Sequence, residues 1–218
     1  LKDAVSSFVT NVSKNANEYK VNHRIALVGY ASRYDSQSKW ANTGLFINGN
    51  LYNYQKPGST NESSRLTNQN YKEALVNINN SDGNITNSIT TAINNIGANG
   101  ATYTNYGLEM ANGVFSNNPI ESSSNRKRIV VVFTDGQPGK SRYQESVAGS
   151  AVNEAYKTKN TYGATVYSVG FYDNASTDVT NFMNYISSNY PGAEYKDVKY
   201  WWESRKEFVP GNKVATKY

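Results

Sequence analysis

The stretch Arg128–Gly139, RIVVVFTDGQPG, decides the fold. Its apolar residues run unbroken from Ile129 to Phe133 and lead straight into Thr134-Asp135-Gly136. A continuous β-branched and aromatic run predicts a strand buried on both faces, as in the middle of a parallel sheet. Asp-Gly followed by Gln-Pro-Gly makes a sharp turn at the strand's C-terminal end. In open α/β sheets that end is where ligands bind. Asp135 therefore stands where a catalytic or metal-binding carboxylate would stand, although an isolated Asp-Gly on its own reads as a plain turn residue.

On the C-terminal side, Val147, Ala148, Ala151, Val152 and Ala155 line one face of a helix over about Tyr143–Lys159. Ala164–Gly170 (ATVYSVG) is a further buried strand, and Val179, Phe182, Met183 and Ile186 mark another helix. On the N-terminal side, Gly107, Met110, Ala111 and Val114 form one helical stripe, and Ile85, Ile89, Ala92, Ile93 and Ile96 form another, capped by Ser81 or Asp82. Between those two helices lies a small-residue loop, Gly97–Thr104.

Tyr71–Asn79 is expected as a short helix after a loop over Gln55–Asn70. Gly44–Tyr54 reads as a hairpin at a sheet edge, because Asn48-Gly49 is the strongest short hairpin signal. Arg24–Tyr30 (RIALVGY) is a buried strand leading into the polar loop Ala31–Lys39. Leu1, Ala4, Val5, Phe8, Val9 and Val12 predict an amphipathic helix from the first residue. Asn189–Tyr218 has Trp201-Trp202 and several charges but no clear period. Strands alternating with helices argue for parallel βαβ units with right-handed crossovers in a single α/β domain.

At 218 residues the chain can bury one good-sized core. The formal net charge of +5 comes from scattered Lys and Arg, which points to a solvated surface and away from nucleic acid. The absence of cysteine excludes disulfides, thiolate metal sites and a cysteine nucleophile. No segment approaches the roughly 20 apolar residues of a membrane span. Most of the Asn-x-Ser/Thr triplets at Asn11, Asn61, Asn79, Asn84 and Asn174 are expected by chance in so Asn- and Ser-rich a chain, though eukaryotic secretion would make them glycosylation sites.

The loop around Thr102 changes the weight given to Asp135. In a doubly wound sheet, the loop before one helix and the end of a neighbouring strand meet at the same edge. A hydroxyl at Thr102 and a carboxylate at Asp135 are hard oxygen ligands suited to Mg²⁺, Ca²⁺ or Mn²⁺. Gly97–Ala101 lacks the G-x-x-x-x-G-K-[ST] order of a phosphate cradle. No G-x-S-x-G occurs, and the only histidine, His23, is expected at the surface before a strand. Trp201 and Trp202 are expected as satellite core, with a ligand platform as the alternative.

With Thr102, Asp135 and their contexts together, the chain resembles a von Willebrand factor type A domain, most of all those of Gram-positive surface and pilus-tip adhesins. The segments that carry the resemblance are RIALVGYAS (24–32), TGLFINGNLYNY (43–54), NITNSITTAINNIGANGATYTNYGLEMA (84–111), KRIVVVFTDGQP (127–138) and GATVYSVGFYD (163–173). The resemblance implies a doubly wound, mostly parallel, Rossmann-like α/β sheet with helices on both faces and an antiparallel edge hairpin. It implies one domain over residues 1–218, truncated at both ends.

It also implies a metal-ion-dependent adhesion site, whose ligands are a D-x-S-x-S motif, a Thr and an Asp. Thr102 matches the Thr, with Thr104 as the alternative, and Asp135 matches the Asp. The D-x-S-x-S motif is absent and is expected upstream of Leu1, together with a central strand; the family's final helix is likewise not recognisable. With two ligands only, Mg²⁺ (or Ca²⁺ or Mn²⁺) is expected to bind weakly or not at all to this fragment.

The function so implied is non-enzymatic adhesion outside a Gram-positive cell, wall-anchored or pilus-associated. The expected partners are a host or matrix protein offering a carboxylate and other domains of the same surface protein. One alternative is a structural pilus or stalk module with a vestigial metal site, marked by Lys–Asn isopeptide bonds. Another is a metal-dependent α/β enzyme, which needs a second acidic group such as Asp35 or Asp173 at the same sheet edge.

Overall fold

The computed structural model describes residues 1–31, 43–54, 66–79, 84–97 and 100–214. The Ser81/Asp82 cap, Asp35 and most of the loops expected over 31–39 and 55–70 lie outside the described residues. The chain divides into two compact units: residues 1–100 with 113–119, and residues 101–112 with 120–218.

In the first unit, helix α1 (Lys2–Glu18) packs against α3 (Asn84–Asn95). The expected stripe of α1 is shifted: Leu1 and Phe8 are exposed, while Val9, Ser13 and Ala16 are buried. Ser13 is tolerated there because its hydroxyl donates to the Ile78 carbonyl and accepts from the Thr86 hydroxyl of α3, at 2.9 and 2.8 Å. The run at 24–30 is not one doubly buried strand. It divides at Ala26 into β1 (Arg24–Ile25) and β2 (Leu27–Gly29), and only Gly29 is fully buried.

Strand β3 (Gly44–Ile47) pairs antiparallel with β2 on one side and with β4 (Asn50–Asn53) on the other. The β3–β4 hairpin turns at Asn48 and Gly49, whose φ of 50° and 80° are the left-handed values that Asn-Gly supplies cheaply. Helix α2 (Asn68–Glu73) starts earlier than expected, because Thr67 and Asn70 form a reciprocal capping box. It stops short of Val76–Asn77, which form β5 and pair antiparallel with β1.

Helix α4 (Thr104–Asn117) has residues in both units. Besides the expected Gly107, Met110 and Val114 it buries Leu108 and Asn112, so it is covered over more than one stripe. The second unit continues with β6 (Ile129–Thr134), α5 (Glu145–Asn160) and β7 (Thr165–Gly170). Strands β6 and β7 are parallel, registered from Ile129↔Thr165 to Thr134↔Gly170, with α5 as the connection between them. This is the βαβ unit that the alternating pattern requires.

Among the described residues β6 pairs with no other strand, and the described strands form four separate sheets. That is why β6 is not buried on both faces as its apolar run suggests. Ile129 is 56 % exposed, and only Val132 and Thr134 are buried.

Helix α5 lays Ala148, Ala151, Val152 and Ala155 into the core with no exposed surface. These small side chains let it approach β7, α6 (Thr177–Ile186) and β8 (Glu194–Lys199) closely. Helix α6 begins at Ser176, whose hydroxyl caps the Val179 N–H, and it buries Val179, Phe182 and Ile186. The stretch without a readable period is an antiparallel hairpin, β8 with β9 (Ser204–Val209). Its anchor is the cross-strand pair Tyr195–Phe208, with ring centroids 4.9 Å apart.

Candidate functional site

Strand β6 ends at Thr134, which is buried, and the turn after it is pinned by that residue's own side chain. The Thr134 hydroxyl donates to the Gly136 carbonyl at 2.9 Å and accepts from the Gly136 N–H at 3.3 Å. Tyr172, two residues beyond β7, donates its phenol to the same Gly136 carbonyl at 3.1 Å. The C-terminal ends of the two parallel strands are thereby tied together, with Asp135 at the crest and exposed. Burial pushes the Tyr172 phenol above its ordinary pKa, the Thr134 hydroxyl opposes that shift, and the negative charge of Asp135 adds to it.

The Thr102 loop meets this turn directly. Thr102 and Gly139 form an isolated antiparallel bridge, N–H to carbonyl in both directions, at 2.9 and 3.1 Å. A Cβ at position 136 would overlap the Thr102 hydroxyl. Glycine at 136 is therefore what lets the Thr102 hydroxyl lie against the Asp135-Gly136 backbone. Thr104 sits at the start of α4, 1 % exposed, and its hydroxyl has no hydrogen-bond partner among the described residues. The Asn105 side-chain oxygen beside it in sequence is also buried without a partner. Thr104 is the alternative ligand of the T-x-T pattern, whereas nothing in the sequence pattern signals Asn105.

In kind, Thr102 and Asp135 suit a hard divalent cation: one neutral hydroxyl, one carboxylate, on segments that touch. In number they are few. No cluster of three or more His, Cys, Asp or Glu residues able to hold a metal occurs among the described residues. Water or donors from elsewhere would have to complete any coordination shell. Asp173 is exposed on the segment after β7, and Asp35 lies outside the described residues. His23 is exposed just before β1, where a surface position was expected.

Trp201 and Trp202 are not satellite core. They are 91 % and 58 % exposed, at the turn between β8 and β9. The hairpin packs its other end, around Tyr195, against α5. A concavity of about 530 Å³ lies elsewhere in this unit, lined by Tyr143, Glu145, Asp178, Glu207 and Phe208. Burial pushes the Tyr143 phenol up to about 12, with the charges of Asp178 and Glu145 adding to the shift.

No helix among the described residues is long and apolar enough to cross a membrane. The family model of the von Willebrand factor type A domain matches residues 37–200, a stretch that contains both Thr102 and Asp135. No curated protein and no solved structure matches the chain.

Proposed function

This chain belongs to the von Willebrand factor type A domain family, and from that premise we propose that it is a non-enzymatic adhesion module. Domains of the family have a Rossmann-like α/β fold, generally mediate protein–protein interactions, are often extracellular and commonly bind a divalent metal. In our reading the chain acts as a single domain displayed on the surface of a Gram-positive cell, wall-anchored or within a pilus. It binds a host or matrix protein through a carboxylate of that protein.

The observation that carries this reading is the contact of the Thr102 hydroxyl with the Asp135-Gly136 turn. Thr102 and Asp135 are the residues that would hold a divalent cation such as Mg²⁺. Bound there, the ion supplies an electrophilic centre that a partner's carboxylate can complete. Asp135 contributes the one negative charge of the pair. Thr102 adds a donor without charge and so leaves the centre electron-poor. Gly136 keeps the two segments close enough to act together.

The test combines calorimetric titration of the chain with Mg²⁺ and Mn²⁺ and capture of extracellular-matrix proteins on a surface. Weak metal binding that Asp135→Ala and Thr102→Ala both abolish is the expected result. Capture should require the cation and be lost in EDTA. Micromolar affinity of the unaltered chain for Mg²⁺ would show that the donor set is larger than Thr102 and Asp135. Capture indifferent to EDTA and to both substitutions would favour a structural stalk module instead.

A further inference from the structure

The β8–β9 hairpin ends in an aromatic cluster that the metal site does not use. The family match stops at residue 200, at the start of the turn, so the turn's two tryptophans lie beyond it. Four residues make the turn, closed by the Tyr200 N–H donating to the Glu203 carbonyl at 2.7 Å. Tyr200 and Trp202 stack, with centroids 5.3 Å apart and planes 28° from parallel. Trp201 stands edge-on to Trp202, at 5.0 Å and 83°.

The rings are held in place. The Arg205 guanidinium lies 5.1 Å from the Tyr200 ring centroid, and Arg205 also pairs with Glu203 and Glu207. The Tyr200 hydroxyl donates to the Glu207 carboxylate at about 3 Å. The guanidinium, with that phenol adding, holds the Glu207 carboxyl below the usual carboxylate range. This bracing reduces the ordering cost of binding something.

The chemistry of the tip restricts what that ligand is. From Glu194 to Val209 the hairpin carries four acidic and four basic side chains, a formal charge of zero. Arg205 and Lys196 are already engaged with carboxylates of the hairpin itself. A single-stranded nucleic acid stacks on aromatic rings but also needs a cationic groove for its phosphates, and an anionic membrane needs an excess of Lys and Arg. Each partner of a standard protein interface gives up roughly 800 Å², and three aromatic side chains at about 150–250 Å² each supply less than that. A small, neutral ligand with flat apolar faces and polar edges fits. A pyranose ring has that character: its C–H face lies on an indole, and its hydroxyls reach the charged groups at the rim.

We propose that the Tyr200–Trp201–Trp202 tip is a binding platform for a neutral carbohydrate chain, separate from the cation-dependent site. The indole of Trp201 is the primary stacking surface, Trp202 sets its angle, and the Glu203 carboxylate accepts from the sugar hydroxyls.

The experiment uses the whole chain and neutral hexasaccharides of glucose and of N-acetylglucosamine, followed by tryptophan fluorescence and by shifts of the indole N–H resonances. Saturable binding to at least one of them, unchanged by EDTA, is expected. Trp201→Ala and Trp202→Ala should each weaken it by about tenfold or more, while Trp202→Phe keeps part of it. Both variants should melt with the parent, because neither side chain is buried. Independence from EDTA separates this site from the one at Asp135. The proposal is overturned if no hexasaccharide moves either signal, or if Trp201→Ala binds as tightly as the parent. It also fails if the tip partitions into phosphatidylcholine vesicles, or binds single-stranded DNA, and does not bind sugar.

Discussion

The hydroxyl of Thr102 fills the volume that a side chain at Gly136 would need. That contact joins the loop before α4 to the turn after β6, and the Thr102–Gly139 bridge holds it in register. Gly136→Ala therefore forces the Thr102 side chain, or the loop that carries it, to shift. The expected loss is about 1–3 kcal/mol of stability, the usual range for overpacking. Thr102→Ala removes the colliding oxygen, so the double variant should lose less than the sum of the two single ones. Urea unfolding of the four proteins measures the coupling. Simple additivity would mean that the two positions do not touch.

A second expected effect concerns the way α4 and α5 are linked. Thr158 on α5 donates its hydroxyl to the Asn112 side-chain oxygen at 2.7 Å, and Asn112 donates in turn to the Glu154 carbonyl at 3.1 Å. Both residues are buried. Thr158→Val keeps the shape and leaves the Asn112 oxygen without its donor, which should cost about 1–3 kcal/mol. Thr158→Ser restores the hydroxyl and should recover most of that in thermal unfolding. If valine is tolerated as well as serine, the bond contributes nothing net.

In the first unit, the turn of the β3–β4 hairpin depends on Gly49 at φ 80°. Gly49→Ala puts a Cβ into a left-handed backbone and should lower stability by roughly 1 kcal/mol. Asn48→Gly at the preceding position should be close to neutral, since glycine accepts the same φ. The pair of melting temperatures checks the turn conformation without any structural measurement.

How much of this is legible beforehand depends on whether the decisive physics is local. The Asn48-Gly49 hairpin and the α5 and α6 stripes are readable because turn chemistry and helical period act within a few residues. The meeting of the Thr102 loop with the Asp135 turn follows from the chain order of an α/β sheet. Burial of β6 is overestimated, because an apolar run says nothing about how many neighbours a strand finds. The β8–β9 hairpin escapes notice since charges occupy both of its faces and the tip is aromatic. There, the only sequence clue is the symmetric placing of Tyr195 and Phe208 about the turn. The roles of Ser13, Asn112 and Lys159 are set by partners distant in sequence, and no local pattern reports them.

Lys159 gives the last expected outcome, and its sign needs care. The residue lies in the last turn of α5 with its ammonium buried, donating to the carbonyls of Tyr185, Ser187 and Tyr190 at 2.9, 3.1 and 2.7 Å. It ties α5 to the end of α6 and the segment after it. Burial pulls its pKa down to about 8, against about 10.4 for an unfolded lysine. Between those values the unfolded chain holds more protons than the folded one, so this group makes stability rise with pH. At neutral pH, Lys159→Met leaves the three carbonyls without a donor and should cost about 2–4 kcal/mol. The gap between parent and variant should then widen from about pH 8 upward, as the folded parent sheds the penalty of burying a charge. Chemical unfolding at neutral pH and near pH 9 measures the change. A gap that narrows with pH would mean that the three carbonyls hold the ammonium more firmly than burial disfavours it.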